Sequence, residues 1–310
     1  MPDPKPENII KNKAVELGFD LCGIAPVKTL REHGERLNSW LANGMHAGMS
    51  YMARNKEKRL DPGLLVKDAR SVIVTAINYY QTYNPAKDQP VFARYALGKD
   101  YHRVIKNKLY ELFGIIKEMH PGAGGRVFVD TAPVLERAWA VEAGLGWIGR
   151  NSMLINKKLG SFTFLGVIIV DLKFSYDKPF NKDYCGSCRK CIDACPAGAI
   201  NEDRTIDSNK CISYLTIEHH GELPHDLHRV SDNKVFGCDI CQEVCPWNNN
   251  VPVTGIKEFQ PLPEILKYTV KQWEKISGDD YNRIFENSAV NRADYDGFLR
   301  NLSSISLVDK

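Results

Sequence analysis

Eight of the nine cysteines fall between residues 185 and 245, at the spacing of iron–sulfur ligands. The first segment, "CGSCRKCIDACP", has the pattern C-x2-C-x2-C-x3-C-P. In bacterial ferredoxins the first three cysteines of this run bind one four-iron, four-sulfur cluster, and the fourth binds a second cluster. The pattern therefore predicts a partner motif elsewhere in the chain.

The partner motif is "CDICQEVCP", and Cys211 in "NKCISYL" completes the set of eight. Each motif is expected to supply ligands to both clusters, so the two clusters should lie close together and pass electrons stepwise. We assign one cluster to Cys185, Cys188, Cys191 and Cys245, and the other to Cys195, Cys211, Cys238 and Cys241. Paired structural zinc sites also use C-x2-C pairs. The C-x2-C-x2-C run and the Cys-Pro that ends both motifs favour cubanes over zinc.

The stretch "EAGLGWIGRNSMLI" has the G-x-G-x-x-G spacing of a dinucleotide-binding loop, through Gly144, Gly146 and Gly149. That loop needs a strand before its first glycine and a helix after its last. Here "VLERAWAVEA" precedes the glycines and favours a helix, whereas "RNSMLINKKLGSF" follows them and favours extended segments joined by a turn. The context therefore argues against dinucleotide binding and favours a helix C-cap at Gly144 followed by a tight loop.

Composition is that of a globular protein, with 310 residues, 43% hydrophobic, 25% charged and a net charge of +3. Such a weak net charge neither requires nor excludes a nucleic-acid partner. The N-terminus lacks an apolar signal segment, and no uncharged apolar run approaches the roughly 18 residues of a membrane span. We therefore expect a cytoplasmic monomer without a membrane partner, whose cysteines serve metal or redox chemistry.

Apolar periodicity predicts alternating helices and strands before the cysteine region, which favours an α/β layered domain. Helices are predicted over 6–18, 30–44, 101–122 and 132–144, and strands over 20–26, 70–80, 125–130 and 161–172. We divide the chain into an α/β catalytic domain (1–178), a ferredoxin-like domain with two 4Fe-4S clusters (179–250) and a polar, helical C-terminal segment (251–310).

The chain resembles the epoxyqueuosine reductases, which are cobalamin-dependent iron–sulfur enzymes of tRNA modification. The resemblance lies in "EKRLDPGLLVKDARSVI", "ALGKDYHRVIKNKL", "GSFTFLGVII" and the cysteine region, and most specifically in "VDTAPVLERAWAVEAGLGWIGRN". It implies an α/β (α+β) cobalamin-binding core similar to the reductive dehalogenase and nitroreductase-like fold, with a ferredoxin-like domain carrying two 4Fe-4S clusters. It also implies a two-electron reduction of epoxyqueuosine to queuosine and water at the wobble position of the tRNA anticodon stem-loop, fed by an external electron donor.

By the same resemblance, Asp130 at the end of "GRVFVD" matches the family's proton donor. An epoxide oxygen would leave as a costly alkoxide unless it is protonated. A carboxyl group donates near neutral pH only if burial raises its pKa, which we expect here. From the residues alone, a helix cap at Asp130 or Thr131 explains the position equally well.

The resemblance further assigns residues to the cobalamin pocket, which the glycines of "GLGWIGRN" would help to shape by letting the backbone approach the corrin ring. The expected contacts are Asp130, Arg59, Asn151, Leu154, Leu165 and Ile168. His102 in "DYHRVI" lies in an incomplete D-x-H-x-x-G motif, because Ile105 replaces the glycine, so we interpret it as a pocket or surface residue and not as an axial cobalt ligand.

Contacts to tRNA are expected near the clusters, where the wobble base would be splayed out and inserted into the pocket. The candidates for phosphate contacts are Lys210, Arg229 and Lys234. Other basic candidates are "RNKEKR" (54–59), Lys106 and Lys108. The histidine-rich stretch "IEHHGELPHDLH" is interpreted as a solvated loop and not as a metal site. Some relatives continue into a helical-repeat domain, whereas this sequence ends at Lys310, so we expect a tRNA grip without that domain.

Two other functions are compatible with parts of the pattern. A corrinoid reductive dehalogenase also pairs cobalamin with two clusters, but such enzymes usually carry an export signal and use a tyrosine as the acid. A non-catalytic ferredoxin-type electron carrier would use the N-terminal region only for docking, and it would bind no corrinoid.

Overall fold

The structure is a computed structural model that describes residues 5–224 and 227–306, apart from the side chains of residues 228, 229 and 306. Its strands are β1 (Leu21–Pro26), β2 (Ser71–Asn78), β3 (Val91–Phe92), β4 (Gly125–Phe128), β5 (Trp147–Ile148), β6 (Leu154–Ile155), β7 (Thr163–Val170) and β8 (Lys234–Phe236). Its helices are α1 (Pro6–Glu16), α2 (Arg31–Ala42), α3 (Lys56–Leu60), α4 (Tyr101–Met119), α5 (Glu136–Glu142), α6 (Lys190–Asp193), α7 (Ile212–Ile217), α8 (Leu227–Ser231), α9 (Ile240–Glu243), α10 (Pro263–Lys267), α11 (Val270–Trp273), α12 (Gly278–Phe285) and α13 (Asp294–Ser306).

A four-stranded sheet with the order β1-β2-β7-β4 forms the centre of the fold. Every neighbouring pair in it is antiparallel. The central strand β2 is buried at all eight positions, as expected for a β-branched, apolar run covered on both faces. The predicted buried strands and the mixed helix and strand class are therefore confirmed.

Helices cover both faces of this sheet. One face packs against α1 and α4 through a core that contains Ile10, Leu109 and Ile168. Gly166 in β7 makes room for α4, because a Cβ atom there would lie 2.9 Å from side-chain atoms of both Ile105 and Leu109. The other face packs against α5 through a core centred on the fully buried Trp139. The sheet is thus the middle layer of a three-layer unit.

The C-terminal segment is helical, as predicted, but it is not a polar tail. Its aromatic side chains form a core of their own with Phe92 of β3, and the largest members are fully buried. These members are Trp273, Tyr281, Phe285 and Phe298. The segment therefore packs onto residues far upstream, and the three-part division of the chain stays a prediction.

No helix within residues 5–224 and 227–306 is long and apolar enough to cross a lipid bilayer.

Candidate active site and cysteine region

A cavity of about 1530 Å³ lies beside the end of β4. Much of its wall comes from α2, the segment around α3, the start of α4, the stretch from Val127 to Ala138, and the stretch from Glu286 to Arg292. Further parts come from the β5–β6 loop, residues 204–208 and the end of α7. The volume exceeds the roughly 300–1,000 Å³ of most small-molecule pockets. Nine arginine or lysine residues and five aspartate or glutamate residues line the cavity, so its wall carries an excess of positive charge. The space therefore suits a large ligand with negative groups.

Asp130 lies in this wall, immediately after β4. Its backbone is in the left-handed region, with a φ of 52°, which is uncommon for a residue other than glycine. Three contacts hold it there: the Tyr101 hydroxyl donates to Oδ2 at 2.9 Å, Nε2 of His102 lies 3.2 Å from the same oxygen, and the Asp130 N–H donates to Oε1 of Glu136 at 2.6 Å. Strained backbone held by several contacts is frequent at functional sites.

His102 joins two carboxylates. Its Nδ1 lies 2.7 Å from Oδ1 of Asp100, and that oxygen also caps α4 by accepting the His102 N–H at 3.0 Å. The imidazole stacks on Tyr101, whose ring stacks in turn on Phe164 of β7. Both ring nitrogens are therefore engaged by aspartates, which agrees with His102 being a pocket residue and not a cobalt ligand.

The charges of Asp100, His102 and Asp130 determine which of these groups are protonated. Burial lowers the pKa of His102, but the hydrogen bonds to Asp100 and Asp130 outweigh burial and raise it to about 9. Burial raises the pKa of Asp130, but the hydrogen bonds from His102 and Tyr101 outweigh it, so that pKa lies below its ordinary value. The Asp130 side chain lines the cavity and keeps 60% of its surface exposed.

The prediction of a raised pKa at Asp130 is therefore wrong for this structure, because the hydrogen bonds from His102 and Tyr101 outweigh burial. The neutral carboxyl group of the cavity is instead Glu136, six residues further along. Burial raises the pKa of Glu136 to about 8, and the negative charge of Asp130 adds to the rise. Nothing in the motif "VLERAWA" marks Glu136 as a buried acid.

Arg59 and Asp130 are the two predicted cobalamin contacts that line the cavity. Arg59 is 9% exposed, and its Nη2 donates to the Tyr51 carbonyl at 3.0 Å. Its Nε atom is buried without a partner among the described residues. A buried donor without an acceptor costs roughly 1–3 kcal/mol, so this atom suits an oxygen of a ligand in the cavity.

The other four predicted cobalamin contacts do not line the cavity, so their contact with cobalamin stays a prediction. Leu154, Leu165 and Ile168 are buried in the cores on the two faces of the sheet. Asn151 is 3% exposed, and its Nδ2 donates to the Cys241 carbonyl at 3.2 Å. The apolar residues are needed for packing, and Asn151 ties the loop after β5 to the cysteine region.

The three glycines serve the chain's own packing. Gly144 has a φ of +79° and ends α5: its N–H donates to the Val141 carbonyl at 3.0 Å and the Leu145 N–H donates to the Ala140 carbonyl at 2.9 Å, which is a Schellman motif. A Cβ atom at Gly146 would lie 2.1 Å from the Ile155 carbonyl oxygen across the β5–β6 pair. The helix C-cap and tight loop predicted here are confirmed, whereas the expected approach of these glycines to a corrin ring finds no support.

Charge interactions connect several of the eight clustered cysteines, and their assignment to two sets stays a prediction. Burial raises the pKa of Cys191, and the nearby charges of Cys245 and Cys185 add to the rise. Burial also raises the pKa of Cys238, and the charges of Asp239 and Cys211 add to that rise. Burial raises the pKa of Cys211 as well, and the charge of Cys195 adds to it. Cys241 is affected by Cys238 and Cys211, and more weakly by Cys191 of the other set. These interactions mostly link cysteines of the same predicted set, and the interaction of Cys241 with Cys191 links one set to the other.

The set that contains Cys211 lies next to the cavity. The Cys211 N–H donates to the carbonyl of Ser208, which lines the cavity. Cys211 is also the N-cap of α7, whose last residue, Ile217, lines the cavity. The other set lies toward solvent, since Gly186, Ser187 and Arg189 between its cysteines are exposed.

The predicted tRNA contacts differ in accessibility. Lys210 is exposed and lies 3.4 Å from Asp207. Lys234 is 6% exposed in β8, which pairs with β3, and its Nζ lies 3.5 Å from Asp232, so a phosphate contact from Lys234 is not supported. The side chain of Arg229 lies outside the described part of the chain, as do His225 and the side chain of His228. The cavity itself is lined by basic residues that the prediction did not include, among them Arg103 and Arg292.

Two family models match the chain. The model of the "4Fe-4S double cluster binding domain" covers residues 184–248, which include all eight clustered cysteines and favour cubanes over zinc. The model described as "Epoxyqueuosine reductase QueG, DUF1730" covers residues 59–131, which begin at Arg59 and include Asp130.

Relatives match over nearly the whole chain. The epoxyqueuosine reductase of Cyclobacterium marinum is 47% identical over 96% of this chain and 96% of its own length. That of Pseudomonas aeruginosa is 40% identical over 97% of this chain and 85% of its own length. The chain belongs to the epoxyqueuosine reductase family. The predicted resemblance to this family is thereby confirmed.

Solved structures of the epoxyqueuosine reductase family have the same fold. One epoxyqueuosine reductase, in complex with a tRNA-Tyr epoxyqueuosine-modified stem loop, superposes with a TM-score of 0.90 at 30% identity and covers 96% of this chain and 80% of its own. The enzyme from Bacillus subtilis, with its catalytic aspartate loop swung out of the active site, gives 0.89 at 30% identity with the same coverage. A catabolic reductive dehalogenase, at 18% identity and a TM-score of 0.50 over 99% of this chain and 36% of its own, shares the fold alone.

Proposed function

We propose that this protein is an oxidoreductase that reduces the epoxide of epoxyqueuosine in tRNA, giving queuosine and water. The observation that carries the proposal is the full-length match to epoxyqueuosine reductases, combined with an aspartate in a large cavity beside two sets of four cysteines. The reaction consumes two electrons and two protons, because the epoxide oxygen leaves as water and a carbon–carbon double bond remains. Since the substrate is tRNA, we place the activity in the cytoplasm.

The cavity is the proposed cobalamin site. Three features fit such a group: a volume beyond that of ordinary pockets, an excess of arginines that suits a phosphate-bearing ligand, and the unpaired buried Nε of Arg59. When bound, cobalamin supplies low-valent cobalt chemistry that delivers electrons to a carbon–oxygen bond. Arg59 would hold the ligand from the α3 side, and Asp130 faces the same space.

Asp130 is the proposed proton donor to the departing oxygen. Asp130 alone is a weak proton donor, because its lowered pKa keeps the carboxyl group deprotonated near neutral pH. His102, 3.2 Å away, holds a proton through neutral pH and is itself fixed by Asp100 at 2.7 Å. We propose that His102 passes its proton to Asp130 as the oxygen leaves, so that Asp130 contacts the substrate and His102 resupplies Asp130.

This role of His102 predicts a pH dependence. Its pKa is raised to about 9, so the protonated form persists through neutral pH and is lost above that value. The single-turnover rate should be level near neutrality and fall about tenfold per pH unit above about 9. In His102→Gln that alkaline limb should vanish, and the rate should increase as the pH is lowered, because Asp130 must then take protons directly from solvent. An unchanged alkaline limb in the variant would assign it to another group, such as Glu136.

The positive wall of the cavity is the proposed route for tRNA. Arg54, Arg103 and Lys106 line it, and Lys210 is exposed near Ser208 at its edge. Contacts of this kind bind phosphates and would hold the anticodon loop while the modified base enters the cavity. These residues replace Lys234 in the proposed interface.

An assay on tRNA tests the function directly. The protein, reconstituted anaerobically with iron, sulfide and cobalamin, is incubated with a reductant and tRNA that carries epoxyqueuosine, and digested nucleosides are analysed by mass spectrometry. The proposal expects a product nucleoside that is 16 mass units lighter, by loss of one oxygen. A protein that binds cobalamin and releases halide from aryl halides but leaves this tRNA unchanged would be a dehalogenase, and one that binds no cobalamin would be an electron carrier.

A further inference from the structure

The solvent-facing cysteine set lies under an exposed, positively charged surface. We define this basic face by four exposed residues, Lys157, Lys182, Arg189 and Lys190. Arg189 and Lys190 lie between the cysteines of the first motif. Lys157 lies next to this motif, because its Nζ is 3.9 Å from the centre of the Tyr184 ring, and Tyr184 directly precedes Cys185. Lys182 lies three residues before Cys185 in the chain.

Carboxylates on this face are already neutralised by arginines. Asp183 pairs with Arg204, and Glu202 pairs with Arg150 at 3.1 Å and with Arg189. Asp193 also pairs with Arg189, at 3.4 Å. By contrast, the lysines of the basic face form no ion pair with any residue in 5–224 or 227–306. The unbalanced charge on this surface is therefore positive.

Aromatic side chains connect the basic face to the cysteines. Tyr184 packs against Trp147 and Trp247, with ring centres 5.2 and 5.8 Å apart. The same cluster contains Cys185 and Cys245 of the solvent-facing set. A protein docked over Tyr184 would thus lie directly above this set.

We propose that the basic face is the docking site for the electron donor, and that this donor is a small protein with an acidic surface around a low-potential redox centre. Opposite charges increase the rate of encounter and orient the partners, with an effect that weakens as salt is added. The inference rests on the proposed function only in requiring that electrons enter from outside. It names the partner's chemistry and the surface that the partner uses.

The test follows reduction of the clusters, not the tRNA product. Reduced plant-type ferredoxin, an acidic probe, is mixed anaerobically with the oxidised holoprotein, and bleaching of the cluster absorbance gives a rate constant. At low salt, Lys157→Glu with Lys182→Glu should slow this reaction at least about tenfold, and the corresponding glutamine pair should slow it less. Reduction by methyl viologen radical, a small cation, should not slow in either variant.

The matched control is Lys67→Glu with Lys173→Glu, which makes the same change in net charge at two exposed lysines outside the cysteine region. Reduction by ferredoxin at an unchanged rate in the basic-face variant would overturn the inference, and so would equal slowing in the control pair. Iron content, measured first, verifies that each variant carries both clusters. The rate of cluster reduction does not depend on tRNA, so it can be measured whether or not the protein converts epoxyqueuosine. The two proposals are therefore tested separately.

Discussion

Asp130→Asn is expected to lower the single-turnover rate of epoxide reduction at least about 100-fold, since a positioned general acid contributes about 10²–10⁴-fold. Asparagine has nearly the same shape, and its amide oxygen can still accept the Tyr101 hydroxyl, which donates at 2.9 Å to the aspartate. What it lacks is a proton to give to the departing oxygen. Binding of cobalamin and of both clusters should therefore be retained, as visible spectra would show.

A matched control exists for Asp130→Asn. Asp68 is also an aspartate in the left-handed region, with a φ of 56° against 52° at Asp130, and it does not line the large cavity. Asp68→Asn therefore tests the general cost of this substitution in strained backbone, and it should leave the rate unchanged. A wild-type rate for Asp130→Asn would remove the acid role, and equal losses in both variants would point to folding as the cause.

The sequence allowed the layers of the fold to be predicted because their signals are local. The apolar runs of β2 and β7 and the periodicity of α4 depend on neighbours in the chain, and the structure has all three. The helix predicted over 132–144 is shorter in the structure, at Glu136–Glu142. The residues from Asp130 to Leu135 form an irregular loop instead, which holds the carboxylate in the cavity wall.

Predictions failed where the deciding partner is distant in sequence. The pKa of Asp130 is set by Tyr101 and His102, which lie 29 and 28 residues away. Lys234 seemed available for phosphate, yet β8 pairs with β3 more than 140 residues upstream and buries it. Charge and burial at such positions follow from tertiary packing, which neither spacing nor propensity records.

The cysteine assignment carries the second large prediction. Each set should bind one cluster, so Cys191→Ala should remove about half of the iron and abolish turnover, because the route for electrons is broken. Cys22→Ala is the control, since Cys22 lies in β1, outside both sets, and burial raises its pKa to about 12, which makes it a poor ligand. The Cys22→Ala variant should retain all of the iron.

Double variants then test which cysteines share a cluster. Cys191→Ala with Cys245→Ala should lose no more iron than either single variant, because both residues serve the same cluster, although they come from different motifs. Cys191→Ala with Cys211→Ala should lose nearly all of it, because each substitution removes a different cluster. Iron analysis and electron paramagnetic resonance of the reduced proteins measure both. Loss of all the iron in Cys191→Ala with Cys245→Ala, together with loss of only half in Cys191→Ala with Cys211→Ala, would contradict the assignment. Cys191 would then share its cluster with Cys211, and the order in which electrons pass between the clusters would differ from the one proposed.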